Sequence, residues 1–60
     1  MKTPLPYITL YIRAHTVVGV DGDRTFSEPA EDPKSWATGF LMAYKFAGGD
    51  GEVLDARNLG

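Results

Sequence analysis

The chain has 60 residues, 43% of them hydrophobic and 23% charged, with a formal charge of −2. That length allows a single small domain, residues 1–60, able to bury only about 60% of its unfolded surface and to gain roughly 3–5 kcal/mol from its core. The absence of cysteine and the single histidine, His15, exclude disulfides and the usual zinc ligand sets, and the composition lacks the low-hydrophobicity, high-charge signature of disorder.

Residues 1–6 contain Pro4 and Pro6 and read as an extended lead-in, because proline fixes φ and biases its predecessor away from helix. From Tyr7 to Val20 the chain reads as a strand. Ile8, Leu10, Ile12 and Ala14 alternate with Tyr7, Thr9, Tyr11, Arg13 and His15, which places the aliphatic set on a core face and the others on the opposite face. Gly19 is a candidate bulge or bend. Asp21-Gly22 offers the positive φ that a tight hairpin needs, so Arg24 to Ser27 should return as a short edge strand, making 7–27 a β-hairpin.

Glu28 to Asp32 reads as a loop. Asp32 followed by Pro33 is a helix start: the aspartate caps a free amide, and proline at the first helical position lacks only a donor that would be orphaned anyway. Gly48-Gly49 offers a left-handed terminator, so a helix is expected over 33–47. A competing assignment makes Thr38–Phe46 a strand, since the run is aromatic and Gly39 is a poor helix former by about 1 kcal/mol. The agreement of the two helix-end signals favours the helix. Residues 52–58 should form a last edge strand.

The expected fold is therefore α+β: a three-stranded antiparallel sheet in ββαβ order with one helix packed on one face. The alternative is a small all-β barrel. At 100° per residue, Trp36, Ala37, Phe40, Leu41, Ala43, Tyr44 and Ala47 share a broad arc meant for the sheet, with Lys34, Thr38 and Lys45 opposite. Met42 and Phe46 fall outside that arc beside Gly39. Either the sheet or the last strand folds over them, or they form a contact patch of the kind enriched at interface cores.

Catalytic chemistry finds no foothold. Ser27 and Ser35 sit in no G-x-S-x-G elbow, no glycine loop is placed to cradle phosphate, and a ligand pocket of about 300 Å³ or more is hard to build in so short a chain. Asp21, Asp23, Thr25 and Ser27 alternate faintly like a calcium loop, but Phe26 and Asp32 stand where such a loop needs glycine and glutamate. Gly48-Gly49-Asp50-Gly51 resembles one copy of a calcium-binding repeat that works only in arrays. No cofactor, metal or catalytic residue is expected.

Binding fits better. Tyr7, Tyr11, Arg13 and His15 form a row of types favoured at interface hot spots, Met42 and Phe46 offer an apolar contact, and Asp21, Asp23, Glu28, Glu31 and Asp32 give the segment 21–32 a local charge of −4, suited to a basic partner surface. The six Lys/Arg stand singly, so direct nucleic-acid binding is not expected. No apolar run approaches the roughly 20 residues of a membrane span, and no signal-type stretch precedes the prolines, which points to the cytoplasm. The expectation is a non-catalytic protein-binding module that modulates or inhibits a larger protein, as accessory proteins of phages and mobile elements do. The alternatives are a structural homo-oligomer, such as a homodimer, and an oligomeric small-ligand protein or enzyme using His15.

Overall fold

Three aliphatic side chains at alternate positions start the architecture. The computed structural model describes residues 5–57; residues 1–4 of the expected lead-in and Asn58 of the expected last strand lie outside them. Strand β1 spans Ile8–Arg13, with Ile8, Leu10 and Ile12 buried on one face.

The strand does not run on to Val20. Ala14 and His15 form a two-residue turn, and β2, Thr16–Asp21, returns antiparallel with Arg13 opposite Thr16 and Ile8 opposite Asp21. His15 takes φ +59°, a left-handed conformation that histidine adopts more readily than most residues with a Cβ. Ala14, expected in the core, is exposed at this turn. Gly19 is no bulge: it sits in register between Leu10 and Phe26, and the Phe26 ring fills the space its side chain would take.

A second two-residue turn, with Gly22 at φ +63° in the first loop position as type II′ hairpins require, leads to β3. This strand, Arg24–Pro29, is two residues longer than expected and lies at the sheet edge, where a proline is tolerated. Helix α1 follows over Pro33–Phe46. Asp32 caps it, accepting from the Ser35 amide at 3.3 Å and the Ser35 hydroxyl at 2.9 Å. At the far end Gly48, at φ +102°, ends the helix. The Gly49 amide reaches the Tyr44 carbonyl at 2.9 Å, and the Gly48 amide the Lys45 carbonyl at 3.0 Å. This is the Schellman pattern that satisfies the last carbonyls.

Strand β4, Gly51–Asp55, then pairs parallel with β1, Leu10 beside Val53. The fold is thus α+β but corrected in detail: four strands in βββαβ order, a mixed sheet ordered β3-β2-β1-β4, and an open sheet rather than a barrel. The extra strand comes from the turn at His15. The parallel pairing comes from α1, which at 1.5 Å per residue is about 21 Å long and carries the chain from the end of β3 back along the roughly 20 Å of a six-residue strand, so that β4 runs in the same direction as β1. The core is Ile8, Leu10, Ile12, Val17 and Ala37, with Phe26, Trp36, Phe40, Leu41, Tyr44 and Val53 packed around it. The Tyr44 hydroxyl donates to the Pro6 carbonyl, tying the lead-in to the helix. No helix among the described residues is long and apolar enough to cross a membrane.

Candidate functional site

The two faces of the sheet have different cover. Strand alternation and register put Ile8, Leu10, Ile12, Val17, Gly19 and Val53 under α1, and Thr9, Tyr11, Arg13, Val18, Val20 and Leu54 on the other side. Among the described residues no element lies over that second face.

Three of the four residues expected as a docking row sit there. Tyr7 precedes β1 and is exposed, and its hydroxyl donates to Glu52 Oε1 at 2.7 Å. That hydrogen bond, with burial and the nearby carboxylates, raises the phenol above its ordinary pKa. Tyr11 is half-buried between Val18 and Leu54, and Arg13 is exposed at the strand end. His15 is not in the row, because it belongs to the turn. It joins Pro29, Ala30 and Glu31 around a shallow cleft of about 270 Å³, and its carbonyl accepts from the Ala30 amide at 3.0 Å.

The acidic residues do not form one patch. Asp21 ends β2 and Asp23 lies in the β2–β3 turn, while Glu31 and Asp32 lie beyond the other end of β3, with Glu28 near that end. The six residues of β3, at about 3.3 Å each, put roughly 20 Å between the two groups. Asp32 is committed to the helix cap, and the hydrogen bonds from Ser35 hold its carboxyl below the usual range. Among the described residues no three His, Asp or Glu side chains cluster closely enough to hold a metal ion.

Helix α1 carries the largest uncovered apolar side chains. Phe46 is 95% exposed and Met42 68%. Neither the sheet nor β4 folds over them, since β4 pairs with β1 on the helix's inner side. Helical spacing lines Gly39, Met42, Ala43 and Phe46 along one stripe, at i, i+3, i+4 and i+7, and all four are exposed. Ala43 and Ala47, expected on the buried arc, are exposed as well. The space beside Gly39 is open. The inner side of the same helix is well packed: Ala37 is fully buried, and Trp36, Phe40 and Tyr44 stack in a ladder with ring centroids 5.3 and 5.9 Å apart. The only charges on the helix are Lys34 and Lys45.

Comparison with protein-family models, with curated proteins and with solved structures finds no match to this chain.

Met42 and Phe46 are thus an uncovered apolar pair on a helix whose other side is packed on the sheet. The open face of the sheet is the lesser candidate: Val18, Val20 and Tyr11 are already half-buried by their strand neighbours. Sequence reasoning found Met42 and Phe46 from helical spacing alone. It missed Val18, Val20 and Leu54, whose facing depends on the unrecognised turn at His15 and on which strand β4 joins.

Proposed function

We propose that this chain is a non-catalytic binding module that docks on a larger protein through the outer side of α1 and thereby modulates that protein. The supporting observation is the 95% exposure of Phe46, with Met42 beside it, on a helix whose opposite side supplies the core. Covering an exposed phenylalanine or methionine contributes about 1.5–3 kcal/mol each, a large return for two side chains already held in place by a capped helix. Tyr7, Tyr11 and Arg13 lie on the far side of the sheet, so a partner seated on α1 does not reach them.

A photo-crosslinking residue placed at position 46 tests this reading in the native host. The expected result is one discrete adduct with a larger protein, absent when the crosslinker is moved to position 54 on the open sheet face and weakened by Met42→Ser. No adduct, or the same adducts from both positions, would remove α1 as the docking surface.

A further inference from the structure

The two edges of the sheet are finished differently. In an antiparallel pair, residues bonded to the neighbouring strand alternate with residues whose backbone groups point away. The Ala30 amide donates across the β2–β3 ladder to the His15 carbonyl at 3.0 Å. With Thr16 opposite Pro29 and Asp21 opposite Arg24, it follows that Arg24, Phe26 and Glu28 bond to β2, while Thr25, Ser27 and Pro29 turn their backbone groups outward. Pro29 thus stands where its missing N–H costs the ladder nothing. Helix α1 rests mainly on β4, β1 and β2, and every residue of β3 except Phe26 is exposed. At the β4 edge the Ile8 amide bonds to Asp50 and the Ala56 amide to Ile12, so Gly51, Val53 and Asp55 face outward. There Asp50 Oδ1 already accepts from the Gly51 amide at 2.8 Å.

The β3 edge reads as its own complement, Arg24-Thr25-Phe26-Ser27-Glu28. Three antiparallel registers bring the outward residues of two such strands together. In the centred one Phe26 faces Phe26 of the second copy, Arg24 faces Glu28, and Thr25 exchanges both backbone bonds with Ser27, twice over. Sliding by two residues in one direction sets Pro29, which has no N–H, against Thr25 and brings Asp23 level with Glu31. Sliding in the other sets Arg24 against Phe26 and leaves Glu28 opposite the turn. Only the centred register pairs Arg24 with a carboxylate and wastes no donor.

The neighbouring charges are compatible with it. Each Arg24 lies between Asp21, its partner on β2, and Glu28 of the second copy, and among the described residues the sole salt bridge within a chain is Arg57–Asp55. Asp23 comes level with Pro29, Glu31 lies beyond the paired residues, and Asp32 is held in the helix cap. Acids still outnumber Arg24 at each end. The association is therefore carried by backbone bonds and by Phe26, whose ring packs 6.1 Å from Phe40, while Arg24 and Glu28 set the register.

From this we infer that the chain pairs with a second copy of itself through β3, joining two four-stranded sheets into one continuous sheet with both helices on the same face. The outer side of α1 takes no part, so the inference stands apart from the docking reading.

One strand edge is a small interface, and interfaces below roughly 1,200 Å² are weak and transient, so sedimentation of the full chain up to millimolar concentration is the test. The expected result is a concentration-dependent dimer. Arg24→Glu and Glu28→Arg each set like charges opposite one another twice and should each weaken the dimer by about ten-fold. Mixing the two variants should restore it, because each then meets the opposite charge at both positions. Ser27→Pro deletes an outward N–H without touching the β2 ladder and should abolish the dimer, with circular dichroism showing each variant folded. A chain that stays monomeric throughout overturns the inference. So does a dimer that both charge variants leave unchanged, one that their mixture fails to restore, or one lost in Phe46→Ser instead, which assigns self-association to α1.

Discussion

The two sides of α1 obey opposite rules on one short helix. Its inner side buries Ala37 completely in the core and packs a ladder of aromatic rings against it. Its outer side presents residues of the same chemical kind, Met42 and Phe46, to water. The difference lies in cover, since only the inner side has a sheet to meet. Hydrophobicity therefore says how strongly a face seeks a partner, and topology says whether the chain itself supplies one. The inner side should decide stability and the outer side binding, and substitutions on either side can separate the two.

The largest effect belongs to the core beneath the helix. Leu10 is fully buried at the centre of β1, and Leu10→Ala should cost about 2–5 kcal/mol. That is comparable with the whole net stability of roughly 3–5 kcal/mol for a domain of this size. Chemical denaturation should show the variant largely unfolded at room temperature. A cooperative transition at the wild-type midpoint would mean that the sheet–helix interface is not the core.

Next comes the place where a missing side chain makes room for a ring. Gly19→Val would drive a side chain into Phe26, whose ring packs 6.1 Å from Phe40. Overpacking of this kind destabilises by about 1–3 kcal/mol. Phe26→Ala in the same chain should then cost less than it does alone, because the clash and the ring are removed together. A double-mutant cycle reads that coupling, and strict additivity would show that Phe26 does not lie over Gly19.

The helix was legible in the sequence because both its ends carry local chemistry. Asp32-Pro33 and Gly48-Gly49 act within a turn of where they stand, and the cap and the Schellman bonds form where those residues predict. The turn at Ala14–His15 was not legible. It contains no Gly, Pro, Asn or Asp, and the residues after it, Thr16-Val17-Val18, are as strand-prone as those before it. The only trace is a change of parity: the core set is even-numbered through Ile12 and odd-numbered at Val17, a shift that Val18 and Val20 mask. The parallel partner of β4 is a non-local fact, fixed by the reach of α1 across the sheet. The candidate site divides in the same way. Met42 and Phe46 follow from helical spacing, whereas the scatter of the acidic residues and the removal of His15 from the tyrosine row follow from turns.

A smaller effect tests the helix start and its pH dependence. Asp32→Ala should lower the melting temperature by a few degrees through loss of the cap. Asp32 is held below its ordinary pKa by Ser35, and Asp55 is lowered from 3.8 to about 2 by its hydrogen bonds to Arg57. Each carboxylate is more acidic folded than unfolded. Each therefore adds stability above the unfolded value, and that contribution is lost as the pH falls from about 4 towards 2. Wild-type stability should decline across that window, and the decline should be shallower in Asp32→Ala and Arg57→Ala. An equally steep decline in both variants would place the acid-sensitive groups elsewhere.

The smallest expected change in stability is the most informative about function. Met42 and Phe46 project from the outer side of a capped helix, and Phe46 is almost wholly exposed, so M42S/F46S removes little packing. Exposed substitutions of this kind usually stay within about 0.5 kcal/mol. The variant should melt as the wild type does while losing the crosslinked partner. A loss well beyond that bound would show that these side chains are already covered within the free chain, and their exposure would no longer point to a partner. Unchanged stability with binding lost would show that one helix carries the fold on its inner side and recognition on its outer side, separable by two substitutions.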